Sequence, residues 1–177
     1  MQQFERRSRG PKRRNMMGET RFLSDWLARF YPGRSWRFQF RVGHDAAAVG
    51  VEIIDEAERR LMRNLNRYVD VLIEPPPDIV IVEATMWQAS EALGKLAEYL
   101  VLLPATPEYS GWAGHPLVPV ILTAQHDTVT ELLAQRQGVR YVFWEPEWIG
   151  EWYAVYPERR RRAPHAGMVA ELEKRLE

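Results

Sequence analysis

Arg67 to Tyr99 reads RYVDVLIEPPPDIVIVEATMWQASEALGKLAEY: an apolar run, a proline-rich break, a second apolar run, then helical spacing. Two carboxylates, Asp70 and Glu83, stand inside the apolar runs. Burying an unpaired charge costs several kcal/mol unless something answers it. Two arrangements meet that cost. Each acid is paired with a buried arginine, or both face one cleft and hold a divalent cation.

Alternation favours the second arrangement. Val69, Val71 and Ile73 alternate with Asp70 and Leu72, which sets Asp70 on the face opposite the valines. Ile79, Ile81 and Glu83 share a face, and Thr85 continues it. Pro75-Pro76-Pro77-Asp78 cannot extend a central strand and reads as the turn between two antiparallel strands. A connection of that length brings Asp70 and Glu83 towards one edge of the sheet. Hard oxygen ligands on neighbouring strands suit Mg²⁺ or Mn²⁺, which keep several waters and take one or two carboxylates.

Strand-Asp, turn, strand ending in Glu-x-Lys, then an amphipathic helix is the pattern of the PD-(D/E)XK nuclease superfamily, which the chain resembles from about Phe22 to Trp144. Asp70 matches the metal-binding Asp, and Glu83-Ala84-Thr85 falls where Glu-x-Lys is expected. Lys95-Leu96-Ala97-Glu98-Tyr99 falls where one branch carries Gln-x-x-x-Tyr. The resemblance implies an α/β, restriction-endonuclease-like mixed β-sheet flanked by helices. It also implies Mg²⁺ on Asp70 and Glu83 if the site is active. Thr85 departs from the pattern, because the family's lysine at that place polarises the attacking water and offsets charge on the phosphate. Removing one preorganised group of this kind costs roughly 10²–10³ in rate. Lys95 could supply the charge from the helix, with Tyr99 orienting it or the phosphate. Otherwise Lys95 is a surface partner of Glu91 at i, i+4.

Composition sets the outer bounds. A chain of 177 residues, 46% hydrophobic, supports one packed domain with tails. No apolar run approaches the roughly 20 residues that cross a bilayer, so no membrane is expected, and nothing looks like a signal peptide. Cysteine is absent, which excludes disulfides and thiolate metal sites. Net charge is zero, so affinity for nucleic acid has to come from the distribution of charge.

That distribution is uneven. An arm over residues 1–18 carries Arg6, Arg7, Arg9, Lys12, Arg13 and Arg14 against the single acid Glu5. Alone it is expected to stay solvated, and it reads as a phosphate-binding or protein-docking arm. Residues 158–177 hold Arg159, Arg160, Arg161 and Arg162. An amphipathic helix with Met168, Val169, Leu172 and Leu176 on one side follows, to fold back or to dock on a neighbour.

Between the tails, residues 19–157 form the nuclease-like domain. Thr20 to Tyr31 spaces Phe22, Leu23, Trp26, Leu27 and Phe30 as a helix. Ser35 to Val42 alternates Trp36, Phe38, Phe40 and Val42 with Arg37, Gln39 and Arg41. That is a half-buried strand whose Arg37 and Arg41 line either solvent or a nucleic-acid groove. VGVEII reads as a strand, and Asp55 to Asn64 as a helix. Gln88 or Ser90 caps a helix to Leu103, with Ala92, Leu93, Leu96, Leu100 and Val101 inward. Pro104 to Pro116 is a loop. Leu117–Thr123 and Val139–Trp144 are strands around a helix, Val129–Gln137, ended by Gly138. Trp144, Trp148 and Trp152 recur every four residues and serve core packing, a lid on the sheet edge, or partner binding. His44, His115, His126 and His165 lack metal-ligand spacing, and no Gly-rich phosphate loop is present.

Two functions fit these residues. One is a nuclease-fold protein with a degenerate active site, a structural or DNA-associated component of a larger assembly such as a phage head, neck or DNA-processing particle. The other is an active Mg²⁺-dependent DNA endo- or exonuclease using Asp70, Glu83 and Lys95. Thr85 tips the sequence towards the first. Expected partners are protein subunits, DNA and further copies of the chain; the expected location is the cytoplasm, or the virion if phage-encoded.

Overall fold

The proline-rich break is a turn, and the whole sheet grows from it. The computed structural model describes residues 11–43, 67–87 and 89–157, with the side chains of 11–17 excepted. The chain divides into two units at Pro32. Arg6, Arg7, Arg9, the predicted strand and helix between 49 and 66, Arg159–Arg162, Leu172 and Leu176 lie outside the described residues.

The first unit contains one long helix, α1 (Pro11–Phe30). It starts nine residues before the expected Thr20 and takes in Lys12, Arg13 and Arg14, so this part of the basic arm is helical. Pro at the first position suits a helix start, because its missing N–H has no acceptor there anyway. Trp26 packs its ring against Phe30 and Tyr31, and Arg21 pairs with Asp25 one turn on.

The second unit is a five-stranded mixed sheet in the order β1-β2-β3-β4-β5. β1 (Trp36–Val42), β2 (Arg67–Ile73) and β3 (Ile79–Thr85) form an antiparallel meander. β4 (Leu117–Thr123) and β5 (Arg140–Phe143) continue parallel to β3. Helix α2 (Ser90–Leu102) joins β3 to β4, α3 (Thr128–Arg136) joins β4 to β5, and α4 (Ile149–Val155) follows. Parallel neighbours need a crossover, and a helix is the usual one. The expected α/β architecture with a mixed sheet is therefore the observed one. β3 is buried at six consecutive positions because it pairs on both sides and is covered on both faces.

Local chemistry fixes the ends. Gly138 has φ +69, and the amides of Gly138 and Val139 return to the carbonyls of Gln135 and Ala134, which closes α3 as a Schellman motif. Asp127 caps the start of α3 through the Thr130 amide. At α2 the cap is Ala89, with no side-chain hydrogen bond, rather than the expected Ser90; Gln88 lies outside the described residues. The helix stops at Leu102, and short 3-10 turns at Leu103–Ala105 and Pro107–Trp112 occupy much of the expected loop. Val101 is 72% exposed rather than inward, and Tyr99 takes the inward position instead. Positions 92, 96 and 99 follow one face of a helix, whereas 101 lies well round from it.

Arg34 pins the proline turn. Its guanidinium donates to Asp78 Oδ1 at 2.6 Å, to the Glu74 carbonyl at 2.7 Å and to the Asp78 carbonyl at 2.5 Å. Both ends of the β2–β3 connection are thus held by one planar cation, a geometry that lysine cannot copy. Arg34→Ala is expected to cost about 2–3 kcal/mol, since it strands partly buried acceptors. Urea denaturation measures the loss, and Arg34→Lys should recover less than half of it.

Candidate active site

The β2–β3 register pairs Val71 with Val82, Leu72 with Ile81 and Ile73 with Val80. The pairing stops one residue short of Asp70, whose charge still lies near enough to Glu83 to help raise its carboxyl. Asp70 has left the ordinary ladder: its Oδ2 accepts a hydrogen bond from the Ala84 amide at 3.0 Å. On its other side Gln39 Nε2 donates to Asp70 Oδ1 at 3.2 Å. The carboxylate is therefore held between β1 and β3, one oxygen each.

Strict alternation breaks at this level. Val69 and Leu72 both join the core cluster that contains Ala92, Leu93, Leu96 and Tyr99 of α2. A regular strand would send residues three apart to opposite faces, so the expectation that all the valines of β2 oppose Leu72 is corrected. The kink coincides with Gln39, which sits between the Phe38–Val71 and Phe40–Val69 pairs and has φ +48.

Glu83 is the buried charge, with 2% of its surface exposed. Tyr99 donates its hydroxyl to Glu83 Oε1 at 2.7 Å, and that hydroxyl also lies 2.9 Å from the Tyr68 carbonyl oxygen. Lys95 Nζ stands 3.0 Å from Glu83 Oε2. Residues 95 and 99 are one helical turn apart, so α2 presents ammonium and phenol to the same carboxylate. Burial, and then the nearby Asp70 charge, push the Glu83 carboxyl up to about 7; Tyr99 and Lys95 pull the other way. Burial and the bond to Glu83 hold the Tyr99 phenol above its ordinary range.

The sequence-derived residues thus fall into two groups. Asp70, Glu83, Lys95 and Tyr99 meet. Lys95 reaches Glu83 across the sheet–helix gap and is 53% exposed, which suits a side chain with an apolar stem and a charged tip at a cleft. Tyr99 is committed to Glu83 rather than directed to a phosphate. Thr85 lies at the end of β3, where its hydroxyl accepts from the Trp87 amide at 3.3 Å in a turn. Gln39 escaped detection from sequence, because in the pattern it is one more polar residue on the outward side of β1.

The expected nucleic-acid and partner residues behave differently. Arg37 pairs with Glu74 and stands over the rings of Phe40 and Trp112. Its guanidinium is thus ion-paired and lies 5.6 Å from each of the two ring centroids. Arg41 is half-buried on β1. Trp152 stacks nearly parallel on Trp87 at 6.0 Å and touches Tyr153 and Tyr156. Trp148 is the residue preceding α4. Of the two Trp residues expected to bind a partner, Trp152 packs within its own chain at the carboxyl ends of β3 and β4. There Tyr153 donates towards the Met86 carbonyl at 3.0 Å.

Among the described residues no group of three or more His, Cys, Asp or Glu side chains could hold a metal ion. Asp70 and Glu83 are the two residues that would hold a cation if one bound here. Two carboxylates are enough for Mg²⁺ or Mn²⁺ completed by water. Glu83 also sheds its proton near neutrality, as a ligand must.

No family model and no curated protein matches the chain. Among solved structures, one titled "Crystal Structure of Protein of Unknown Function AF1548" is similar at 13% identity and a TM-score of 0.39. The match covers 76% of this chain and spans about 59% of the length of that one. No helix among the described residues is long and apolar enough to cross a membrane.

Proposed function

We propose that the chain is a divalent-metal-dependent nuclease that hydrolyses phosphodiester bonds of DNA. The observation that carries this reading is the 3.0 Å contact between Lys95 Nζ and Glu83 Oε2. It brings a cation to the carboxylate pair although the strand position that resembles the motif lysine is Thr85.

Asp70 and Glu83 would hold the metal. Bound there, it would polarise a phosphoryl oxygen and acidify a water. The chain's own residues supply the rest. Gln39 and the Ala84 amide fix Asp70, and Tyr99 orients Glu83. Lys95 places a positive charge where negative charge grows on the phosphate as water attacks and the leaving oxygen departs. A buried carboxylate that keeps a raised pKa beside a second acid and a lysine is costly as a purely structural element, and such clusters concentrate at functional sites.

The test is cleavage of supercoiled and linear DNA in Mg²⁺ or Mn²⁺, beside Asp70→Asn. The parent should cut, EDTA should stop it, and the variant should fall at least 10²-fold, since an amide is a far poorer ligand for a hard cation. A parent that neither cuts DNA nor binds Mn²⁺ by calorimetry overturns the proposal.

One observation favours the second reading, an assembly component with a nuclease-like core. The Thr85 hydroxyl is already used in the turn to Trp87. In that case Lys95 serves only to neutralise Glu83, and the result just named would be the one obtained.

A further inference from the structure

We infer that Gln39 is a positioning residue for the metal-binding Asp70, and that the chain keeps it in a strained backbone to do this; the inference rests on the nuclease reading above. Gln39 has φ +48, and among the described residues it alone is a non-glycine with positive φ. That region crowds Cβ against the following carbonyl, and it suits Gly first and Asn or Asp next. Gln has no local hydrogen bond to offer there as Asn does. Its neighbours on both sides stay in register, Phe38 with Val71 and Phe40 with Val69. The register is thus kept across the distortion, with no extra residue inserted to absorb it.

What Gln supplies and Gly cannot is the side-chain amide. That amide reaches Asp70 Oδ1 at 3.2 Å across the strand pair. The contact is exposed, and an exposed hydrogen bond is too weak to offset the strain by stability alone. Such outliers cluster where geometry is used rather than where stability is made. With Oδ2 held by the Ala84 amide, the Gln39 amide removes the remaining rotation of the carboxylate. The plane of Asp70 towards Glu83 is then set before a cation arrives. Outer-shell partners of metal ligands commonly govern affinity in this way, at about 10–100-fold per partner removed.

Two variants separate strain from positioning. Gln39→Gly removes both the strain and the amide, whereas Gln39→Ala keeps the strain and removes the amide. Gln39→Gly should exceed Gln39→Ala by about five- to tenfold in the folding equilibrium constant. Both should weaken Mn²⁺ binding, measured by calorimetry on the full chain, by about tenfold or more. A glycine variant that is no more stable than the alanine variant overturns the strain, and unchanged Mn²⁺ affinity in both overturns the positioning. No Mn²⁺ binding by the unmodified chain removes the nuclease reading and this inference with it. Loss confined to the two variants sustains both.

Discussion

Replacing Lys95 with Met is expected to lower DNA cleavage by about 10²–10³-fold, the usual cost of removing one preorganised charge from a reacting centre. The protein should still fold. Lys95 is half exposed, and the Glu83 carboxyl left behind takes a proton readily, being raised to about 7 even with Lys95 present. The decisive step is to add Thr85→Lys to that variant. Thr85 ends the strand that carries Glu83 two residues earlier, on the same face by strand alternation. A lysine there restores the pattern that Glu83-Ala84-Thr85 lacks. The double variant should regain at least tenfold of the lost rate. If Lys95→Met cuts DNA as fast as the parent, the helix lysine has no part in the reaction. Circular dichroism on each variant separates loss of activity from loss of fold.

Cleavage should also rise about tenfold per pH unit up to a midpoint near 7 and then level off, because Glu83 must be ionised to hold a cation. Saturating Mn²⁺ should draw that midpoint lower, by competing with the proton. Stability should run the opposite way. Glu83 moves from an ordinary value of 4.5 to about 7 on folding, so between those limits the folded chain holds a proton that the unfolded chain has released. Its contribution is fully present below the lower limit and is lost as pH rises through the upper one, amounting to roughly 3 kcal/mol. Glu83→Gln removes the titration while the Tyr99 hydroxyl can still donate to the amide oxygen. That variant should therefore be inactive at every pH, similar to the parent in stability near pH 4, and more stable than it at pH 8. Parallel urea series at the two pH values measure this. A glutamine variant weaker than the parent at pH 8 would show that ionised Glu83 stabilises the fold.

Much of this was legible in the sequence, for definite reasons. The β2–β3 hairpin announced itself because prolines cannot continue a central strand. Gly138 marked the end of α3 because little else tolerates its φ. Asp70 and Glu83 stood out as acids inside apolar strands, whereas Lys95 and Tyr99 were singled out by the resemblance to the nuclease pattern, helical spacing alone having left Tyr99 off the inward face. What escaped depends on contacts that no period records. The kink at Gln39 inverts the faces of β1 and β2 through a backbone angle, and glutamine does not advertise such an angle. The start of α2 carries no capping side chain, so a rule built on caps pointed to Gln88 or Ser90. The long α1 runs through basic residues whose composition argued for a free arm. The ion pair of Arg37 with Glu74, far off in sequence, is likewise nothing that strand alternation reveals.

The β3 strand and the α2 helix offer two moorings for a single positive charge within reach of Glu83. On the nuclease reading, a lineage could therefore pass the lysine from one element to the other through an ancestor that holds both. Recognition keyed to a linear string would lose the thread at that crossing. Recognition keyed to a cation beside a cross-strand pair of acids would follow it.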